Sequence, residues 1–362
     1  MVKVLHLEAS TAWGGQEIRI LQEAQTLRAK GYEIYFATQK KAILAEAAKE
    51  KKFCVFEMHF QKWAWMYSIF KLSRFIIKNK ITLINTHSSL DSWLGGIVGK
   101  ILRIKVLRTR HLSTPMKSSF HSYILYNILS DFVITTCQKT AFDIAEKAKL
   151  TFDRCISIPT GVQIEALEEG KKGALSFRQK FNLKTEDTLV GFVGFMRSWK
   201  GIKDFLQAAK LLEHEKDIHW IIIGGGHEKE YIKYAESLKL NNVIFTHYLQ
   251  NPYSGIAALD IFVLLSVEHE GVSQAALQAA YLEKPLITTS TGGLREICLH
   301  NITGIRVNKY SSQEVANAVM RLKQNQVLSR QMGLSGKNLV LQQFTHDKMC
   351  SDIEKCYRRI LT

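Results

Sequence analysis

The chain has 362 residues, of which 46% are hydrophobic and 23% charged, a composition typical of a globular protein with room for two ordinary domains. Its formal net charge of +16 indicates an anionic partner, and charge alone does not choose among nucleic acid, anionic lipid and a phosphorylated substrate. Six cysteines without metal-binding spacing, a polar N-terminus and the lack of any long apolar run favour a cytoplasmic protein with reduced thiols and no membrane-spanning helix.

Short apolar strands and amphipathic helices alternate along the chain, which predicts parallel sheets covered by helices on both faces. In the first half the predicted strands are 2–8, 33–38, 82–86, 106–109 and 132–137, with helices that include 16–30 and 91–102. In the second half the predicted strands are 189–195, 220–224, 243–248, 260–266 and 285–289, with helices that include 202–214, 228–238 and 313–324. We therefore expect two Rossmann-like domains, an acceptor-side domain over 1–163 and a nucleotide-sugar-binding domain over 186–345, with a linker over 164–185. The final helix, 346–362, can pack back on the N-terminal domain.

The turn Glu268-His269-Glu270-Gly271-Val272-Ser273-Gln274 lies between a predicted buried strand and a helical segment. Open parallel sheets bind ligands at the carboxyl ends of their strands, and the backbone N–H groups that begin the next helix favour an anion such as phosphate. The carboxylates beside this turn cannot serve that anion, so they are better suited to hold hydroxyls. Phosphate and hydroxyls together indicate a nucleotide-sugar.

Five turns stand out in chain order: Trp13-Gly14-Gly15-Gln16-Glu17, Ile158-Pro159-Thr160-Gly161-Val162, the loop 194–201, Glu270-Gly271-Val272-Ser273 through Gln278, and Gly292-Gly293-Leu294-Arg295-Glu296. In this order they resemble the retaining GT-B glycosyltransferases of family four, which use a nucleotide-sugar donor. The segments 85–89 and 108–115 are most similar to bacterial members that build lipopolysaccharide and related surface glycans. The resemblance spans nearly the whole chain and implies the α/β GT-B fold, in which two Rossmann-like domains have parallel sheets that face a central cleft.

The resemblance assigns catalytic roles to Arg197, Lys200, Glu270 and His111. Departure of a nucleoside diphosphate places negative charge on the leaving oxygen, and fixed cations stabilise that charge. Arg197 can grip phosphate with its forked guanidinium, and Lys200 adds a point charge. From local sequence alone, both can also be surface charges at a βα turn. By resemblance Glu270 holds donor-sugar hydroxyls and His111 lies beside the transferred sugar. No cofactor and no metal are expected, because the cations remove the need for one.

The same resemblance implies a set of donor-binding residues and one acceptor-side residue, His87, for which simple strand capping remains an equal alternative. The donor set is Gly14, Gly15, Gly194, Gly224, Gly271, Val272, Ser273, Gln278 and Glu296. The family pattern is Glu-x7-Glu, with its second carboxylate on the ribose, whereas this chain has Gln278 at that position. An amide still offers an acceptor and two donors, so contact with the ribose remains available.

The segment 60–78 is rich in both aromatic and basic residues. Lys71, Arg74 and Lys78 share one face of a predicted helix, and tryptophan, phenylalanine and isoleucine residues cover much of the rest. This combination suits the surface of an anionic bilayer, and it equally suits a helix buried against the N-terminal sheet with a solvated basic edge.

The sequence thus favours a metal-independent hexosyltransferase that moves a sugar from a nucleotide-sugar to a glycan or lipid-linked acceptor with retention, in lipopolysaccharide or cell-surface polysaccharide synthesis. We expect it in the cytoplasm, peripheral to the inner face of the membrane. Two alternatives remain open: a sugar-nucleotide epimerase, and a non-catalytic member of the same fold that binds nucleotide or glycan. Nucleic acid is not an expected partner, because the basic residues are spread through α/β elements without a recognition motif.

Overall fold

The computed structural model describes residues 1–111, 114 and 116–362, and these form two compact units. The first unit comprises residues 1–159 and 349–362, and the second comprises residues 160–348. Each unit contains one parallel sheet with connecting helices, as the alternating sequence pattern predicts. Residues 112, 113 and 115 of the segment 108–115 lie outside the described residues.

The sheet of the first unit has seven strands, all paired in parallel. They are β1 (Lys3–Glu8), β2 (Glu33–Gln39), β3 (Cys54–Met58), β4 (Leu83–Thr86), β5 (Lys105–Arg110), β6 (Phe132–Thr135) and β7 (Cys155–Ser157), in the order β3-β2-β1-β4-β5-β6-β7. The helices between them are α1 (Gly15–Ala29), α2 (Ile43–Glu50), α3 (Trp65–Asn79), α4 (Ser89–Leu102), α5 (Phe120–Tyr123) and α6 (Gln138–Ala148). The two edge strands, β3 and β7, were not predicted, because they are partly exposed and lack a continuous apolar run.

The sheet of the second unit has six parallel strands in the order β10-β9-β8-β11-β12-β13. The strands are β8 (Thr188–Val193), β9 (Ile218–Ile223), β10 (Val243–Phe245), β11 (Ile261–Leu264), β12 (Leu286–Thr288) and β13 (Gly304–Arg306). The helices from this point of the chain onward are α7 (Ile164–Lys171), α8 (Ala174–Lys180), α9 (Ile202–Leu211), α10 (Glu228–Ser237), α11 (Tyr253–Ala258), α12 (Gln274–Tyr281), α13 (Leu294–Ile297), α14 (Ser312–Gln324), α15 (Gln326–Gln343) and α16 (His346–Leu361).

Each sheet reverses its strand order at one point, and this point locates the candidate site. In the first unit β1 has β2 on one side and β4 on the other. In the second unit β8 has β9 on one side and β11 on the other. Connections leave such a switch point in opposite directions, which opens a crevice at the carboxyl ends of the strands. Functional side chains are therefore expected just after β1 and β4, and just after β8 and β11.

The segment 164–185, predicted as a linker, forms helices α7 and α8 within the second unit. The glycines of this segment permit close helix packing. A Cβ on Gly170 would lie 2.3 Å from Cβ of Tyr253, and one on Gly173 would lie 2.3 Å from Oγ of Ser254, both in α11. The division between the units falls earlier, between Pro159 and Thr160.

The C-terminal helix α16 contributes to the core of the first unit. Its buried residues Met349, Ile353 and Ile360 belong to the same hydrophobic cluster as side chains of β1, β2 and α1. Tyr357 is fully buried there, donates a hydrogen bond to Glu23 at 2.9 Å and accepts one from Asn85 at 3.1 Å. The last residues of the chain are thus part of the fold of the N-terminal sheet.

The segment 60–78 forms a short 3-10 turn, Lys62–Ala64, followed by α3. Phe60, Leu72 and Ile76 are buried in the core of the first unit, while the opposite face exposes large apolar side chains: Trp63, Met66, Tyr67, Phe70 and Ile77. One face of α3 is therefore buried against the N-terminal sheet, as one of the two alternatives predicts, and the other face is exposed. Among the residues that the structure describes, no helix, α3 included, has the length and apolar character needed to cross a bilayer.

Candidate active site

The loop after β8 places Arg197 at the switch point of the second unit. Its guanidinium carbon lies 4.7 Å from the ring centre of Phe195 and 5.5 Å from that of Trp199. Arg197 is exposed, and within the described residues no carboxylate forms an ion pair with it. Two aromatic rings thus hold an arginine whose N–H groups remain available to an anion.

Two glycine turns, at the ends of β8 and β9, support this loop. Gly194 and Gly224 have φ angles of +146° and +145°, and a Cβ on Gly224 would lie only 2.0 Å from the carbonyl oxygen of Gly194. Met196 continues the contact, since its N–H donates to the carbonyl of Gly225 at 2.7 Å. Gly224 thus allows its backbone to approach that of Gly194, and both glycines adopt a positive φ angle that other residues rarely adopt. These two features fix the direction of the Arg197 loop.

Lys200 and Glu270 form an ion pair, although the sequence suggested separate ligands for them. Lys200 Nζ lies 2.6 Å from Glu270 Oε2, and Ser266 Oγ donates to the same oxygen at 2.5 Å. Glu270 is 7% exposed, and the Lys200 side chain is 19% exposed. A buried carboxylate is costly without partners. The lysine neutralises the charge of Glu270, and the serine hydroxyl donates a hydrogen bond to it.

The Gly292-Gly293 turn, which follows β12, holds the backbone beside Glu270. Gly292 has a φ angle of +53°, and a Cβ there would lie 1.8 Å from the carbonyl oxygen of Glu270. Gly293 N–H donates to the same carbonyl at 3.2 Å. Both glycines lie against the turn that carries Glu270, and a side chain at either position would displace that turn.

Helix α12 begins directly after this turn. Ser273 caps it, its hydroxyl accepting from Ala276 N–H at 3.4 Å, and Gly271 and Val272 form the preceding backbone. Gln278 lies one turn along from Gln274, is half-buried, and makes no side-chain hydrogen bond to another described residue. The remaining predicted donor residue, Glu296, is a half-buried residue of the short helix α13, which follows the glycine turn.

In the first unit, Gly14 and Gly15 lie between β1 and α1. Gly14 precedes the helix, and its N–H donates to Glu17 at 2.9 Å in a capping arrangement. No described atom lies within 4 Å of a Cβ built on Gly15. The turn therefore has an exposed glycine at the carboxyl end of β1, where the switch point opens.

Glu8, the last residue of β1, was missed by the sequence reasoning. It is buried, accepts from Ser10 N–H at 2.8 Å and accepts a short hydrogen bond from the amide of Gln16. Burial, reinforced by the negative charge of Asp91, raises the pKa of Glu8 to about 8. A buried carboxyl at the end of an otherwise apolar strand is an unusual feature, and it was the available sequence signal.

The structure places His111 at one end of a row of three imidazoles. Nδ1 of His6 lies 2.9 Å from Nε2 of His87, and Nδ1 of His87 lies 3.0 Å from Nε2 of His111. These residues come from the neighbouring strands β1, β4 and β5 or from the positions that follow them. Burial lowers the pKa of His6 to about 3 and lowers the pKa values of His87 and His111 well below the usual range. All three are therefore neutral at physiological pH, and each hydrogen bond in the row fixes the tautomer of the next ring.

A cavity of about 370 Å³ adjoins His87 and His111 within the first unit. Its lining includes Arg108, Arg110 and Tyr126, residues to which the sequence gave no role. Arg108 is 7% exposed and lies over the ring of Tyr126, 4.4 Å from its centre. The cavity is therefore basic, and its positive charge comes from arginine because the histidines are neutral.

All six cysteines are free, and Cys54 is the exposed one. Within residues 1–111, 114 and 116–362, no group of three or more His, Cys, Asp or Glu side chains is arranged to hold a metal ion.

Comparison with known proteins agrees with this architecture. Residues 174–339 match the family model described as glycosyl transferases group 1, and residues 13–166 match the one described as glycosyltransferase family 4. The chain is 22% identical over 313 residues to the capsular polysaccharide biosynthesis glycosyltransferase CapM of Staphylococcus aureus, covering 81% of each chain. It is also 22% identical over 383 residues to an Escherichia coli UDP-Gal:alpha-D-GlcNAc-diphosphoundecaprenol alpha-1,3-galactosyltransferase, covering 98% of this chain and 96% of the other.

The structure of the Anabaena protein HepE in complex with UDP and glucose superimposes with a TM-score of 0.83 and 18% identity, covering 99% of this chain and 100% of the other. A likeness of this kind shows the fold, two Rossmann-like domains with parallel sheets. Together with the two family models, which account for most of the chain, it confirms the predicted GT-B architecture. The chain is a group 1 glycosyltransferase with the GT-B fold and with relatives in the synthesis of cell-surface glycans.

Proposed function

We propose that the protein is a retaining family-four enzyme that transfers a hexosyl group from a UDP-sugar to a glycan or lipid-linked acceptor. The observation that carries this proposal is the grouping of Arg197, Lys200 and Glu270 at the carboxyl ends of β8 and β11. The E. coli relative, named for a UDP-galactose donor and a diphosphoundecaprenol-linked acceptor, and the UDP complex of HepE support this choice of donor. The capsular and lipid-linked relatives favour a role in lipopolysaccharide or cell-surface polysaccharide synthesis.

The Lys200–Glu270 ion pair holds both side chains in place for binding the donor. A bound diphosphate offers Lys200 a stronger anionic partner, and the lysine then shares its charge with the leaving phosphate. Glu270, still held by Ser266, is left with an oxygen that can accept hydrogen bonds from the donor sugar. As the bond to the sugar breaks, Arg197 and Lys200 stabilise the charge that grows on the departing UDP, so the step needs neither metal nor cofactor.

The remaining donor contacts follow from the start of α12 and the nearby turns. Backbone groups of Gly271, Val272 and Ser273 lie beside Glu270 and suit the sugar or the phosphates. Gln278 is half-buried without a side-chain partner among the described residues, so its amide can bind the ribose. By the same family pattern, Gly14, Gly15, Gly194, Gly224 and Glu296 complete the donor site.

We assign the acceptor side to the imidazole row of the first unit. His111 is neutral, so it contributes a hydrogen bond to a sugar hydroxyl and no charge. His87 holds His111 in one tautomer, and His6 holds His87. No side chain suited to act as a nucleophile is identified among the described residues at this site, and we propose front-face transfer, in which the departing phosphate takes the proton of the acceptor hydroxyl.

A thermal-shift screen of UDP-, GDP-, ADP- and CMP-linked sugars tests the donor site. One UDP-sugar should raise the melting temperature of the wild type and not that of Arg197→Ala. Arg197 is exposed, so its removal should leave the unliganded protein as stable as before. Lys203→Ala is the matched control, because Lys203 forms an exposed ion pair with Glu230 on the helices beyond the loop. Equal shifts in wild type and Arg197→Ala would contradict the proposed clamp.

Gln278 is the observation that favours a second candidate, a non-catalytic member that binds nucleotide or glycan. Gln278→Glu restores the family carboxylate and separates the two ideas. An enzyme should gain affinity for the UDP-sugar and keep its turnover, whereas a binding protein should gain affinity without any turnover. Donor consumption that needs no acceptor would instead point to the epimerase.

We further propose that the outer face of α3 binds the inner, anionic surface of the cytoplasmic membrane. Trp63 and Met66 are 79% and 85% exposed, and Phe70 is 66% exposed, which is unusual for large apolar side chains in a folded domain. Lys71, Arg74 and Lys78 are exposed on the same helix. Aromatic side chains with adjacent cations suit the interface of an anionic bilayer, where a lipid-linked acceptor would be held.

Flotation with liposomes tests this surface directly. The wild type should bind vesicles that contain phosphatidylglycerol and not vesicles of phosphatidylcholine alone. The triple variant Lys71→Gln, Arg74→Gln and Lys78→Gln should lose most of this binding, since each cation near the surface contributes about 1 kcal/mol. A variant with three exposed lysines of the second unit neutralised controls for net charge. Binding that survives in the triple variant would refute the assignment.

A further inference from the structure

The cavity of the first unit has an unusual lining. Arg108 and Arg110 line it together with three serines, Ser88, Ser89 and Ser122, and with the two histidines of the imidazole row. Among the residues that the structure describes, no aspartate or glutamate lines it. A cavity with two guanidinium groups, several hydroxyls and no carboxylate is suited to an anion with several oxygen atoms.

Arg108 is buried at this cavity and has a nitrogen without a hydrogen-bond partner. Its guanidinium is buried against the ring of Tyr126, and its Nη1 has no hydrogen-bond partner. Among the described residues, no carboxylate forms an ion pair with it. Stacking on the ring satisfies the face of the guanidinium and leaves Nη1 without an acceptor, and a buried unsatisfied donor is costly. An anion in the cavity would supply the acceptor oxygen that Nη1 lacks.

Arg110 contacts the hydroxyl group of Tyr126, whereas Arg108 lies over its ring. One of its nitrogens donates to the Tyr126 hydroxyl and another to the carbonyl and hydroxyl of Thr114. These contacts fix the guanidinium at the cavity wall. Tyr126 thus positions two arginines at once, through its ring face and its hydroxyl.

We propose that this cavity binds the phosphate or diphosphate of an anionic glycosyl acceptor, through Arg108 and Arg110. The residues of this site differ from those of the donor clamp: Arg108 and Arg110 belong to the first unit, and Arg197 and Lys200 belong to the second. It deepens the proposed function and rests on it, because it names the chemistry of the acceptor. His87 and His111 line the same cavity, so a sugar attached to the bound phosphate contacts the imidazole row.

Calorimetric titration with inorganic pyrophosphate tests the cavity while UDP saturates the donor site. The wild type should bind one pyrophosphate under these conditions. Arg110→Gln and Arg108→Gln should each weaken that binding about tenfold or more, since each removes a charge-assisted interaction. Arg103→Gln is the matched control, because Arg103 is an exposed arginine of the same unit outside the cavity lining. Arg108→Lys, which keeps the charge but not the fork, should recover only part of the affinity.

The outcomes separate this proposal from the proposed function. Pyrophosphate that binds the wild type and both glutamine variants equally, or that fails to bind UDP-saturated wild type, overturns the cavity assignment even if UDP-sugar transfer is found. If UDP itself does not bind, the donor proposal fails, and the same five titrations without UDP still compare the cavity variants. If Arg108→Gln unfolds, Arg110→Gln alone decides.

Transfer assays then distinguish the two sources of such a phosphate. A sugar diphosphate that carries a short prenyl chain and the same sugar as a 1-phosphate without lipid are compared as acceptors. In either case Arg110→Gln should raise KM for the acceptor about tenfold while KM for the UDP-sugar stays unchanged. A neutral sugar that the wild type uses as efficiently as the phosphorylated acceptors, or an unchanged KM for both phosphorylated acceptors in Arg110→Gln, would contradict the proposal.

Discussion

Replacing Lys200 by methionine leaves the carboxylate of Glu270 buried with one remaining partner. In the native protein this carboxylate is held by Lys200 Nζ at 2.6 Å and Ser266 Oγ at 2.5 Å, and Glu270 is only 7% exposed. Lys200→Met removes the charge-assisted contact and keeps the aliphatic stem. We therefore expect the loss to come from the unpaired carboxylate and not from lost packing.

The expected magnitude follows from this geometry. Leaving a buried polar or charged group without its partner costs about 1–3 kcal/mol, with the surviving hydroxyl contact favouring the middle of that range. At about 2 kcal/mol, the melting temperature of a domain of this size should fall by about 4–8 °C. Glu270→Gln should cost less, because the uncharged amide is easier to bury and Lys200 can turn toward solvent. The double variant, which has no buried charge to neutralise, should be more stable than Lys200→Met alone.

Activity should not follow stability in this series, because the more stable double variant should remain less active than the wild type. Both single variants and the double variant should lose kcat/KM for UDP-sugar transfer, Lys200→Met by about tenfold to a hundredfold, because each lacks a transition-state contact. Thermal denaturation and initial-rate kinetics on the four proteins complete the double-mutant cycle. A double variant no more stable than Lys200→Met, or one that regains activity, would refute the account of the pair.

Three further predictions concern other parts of the molecule. The pKa of Glu8 in the folded protein is about 8, well above its ordinary value, so the free energy of unfolding should fall as the pH rises from 6.5 to 8, by up to about 1.4 kcal/mol per pH unit. Glu8→Gln should flatten this slope in denaturant titrations. An unchanged slope in the variant would contradict the assignment. Gly292→Ala should destabilise the second unit by about 2 kcal/mol or more and weaken UDP-sugar binding, since its Cβ would meet the Glu270 carbonyl at 1.8 Å, whereas Gly225→Ala, with its nearest contact at 3.5 Å, should be nearly neutral. Gln278→Glu should tighten UDP-sugar binding in calorimetry, and unchanged affinity would show that this position does not contact the ribose.

The architecture and the donor turn were accessible from sequence because their signals are local. Buried parallel strands produce continuous apolar runs, and the turn that carries Glu270 stands directly between such a run and a helix. Glycine turns at 194 and 292–293 are marked by residue type alone. Their partners, however, are other backbone segments, and the sequence does not show which backbone a side chain at Gly224 or Gly292 would meet.

The acceptor side was only partly accessible because it depends on strand register. His6 is not directly opposite either of the other histidines in the sheet. Its register partner in β4 is Asn85, and the next residue of β4, Thr86, is paired with Arg108 of β5. Only this register brings His6, His87 and His111 into one row, across separations of 81 and 24 residues. The linker was misjudged for a related reason, since Gly170 is a flexible residue in isolation and a packing contact once α11 is present.

The anomeric configuration of the product tests the central claim most directly. UDP-sugars labelled with ¹³C at the anomeric carbon would be incubated with a prenyl-diphosphate-linked sugar, and the product would be followed by NMR in wild type and Arg197→Ala. The account predicts transfer to the acceptor with the donor's α configuration retained, and transfer at least about tenfold slower in Arg197→Ala. A β-linked product, or donor consumption with no label on the acceptor, would contradict it.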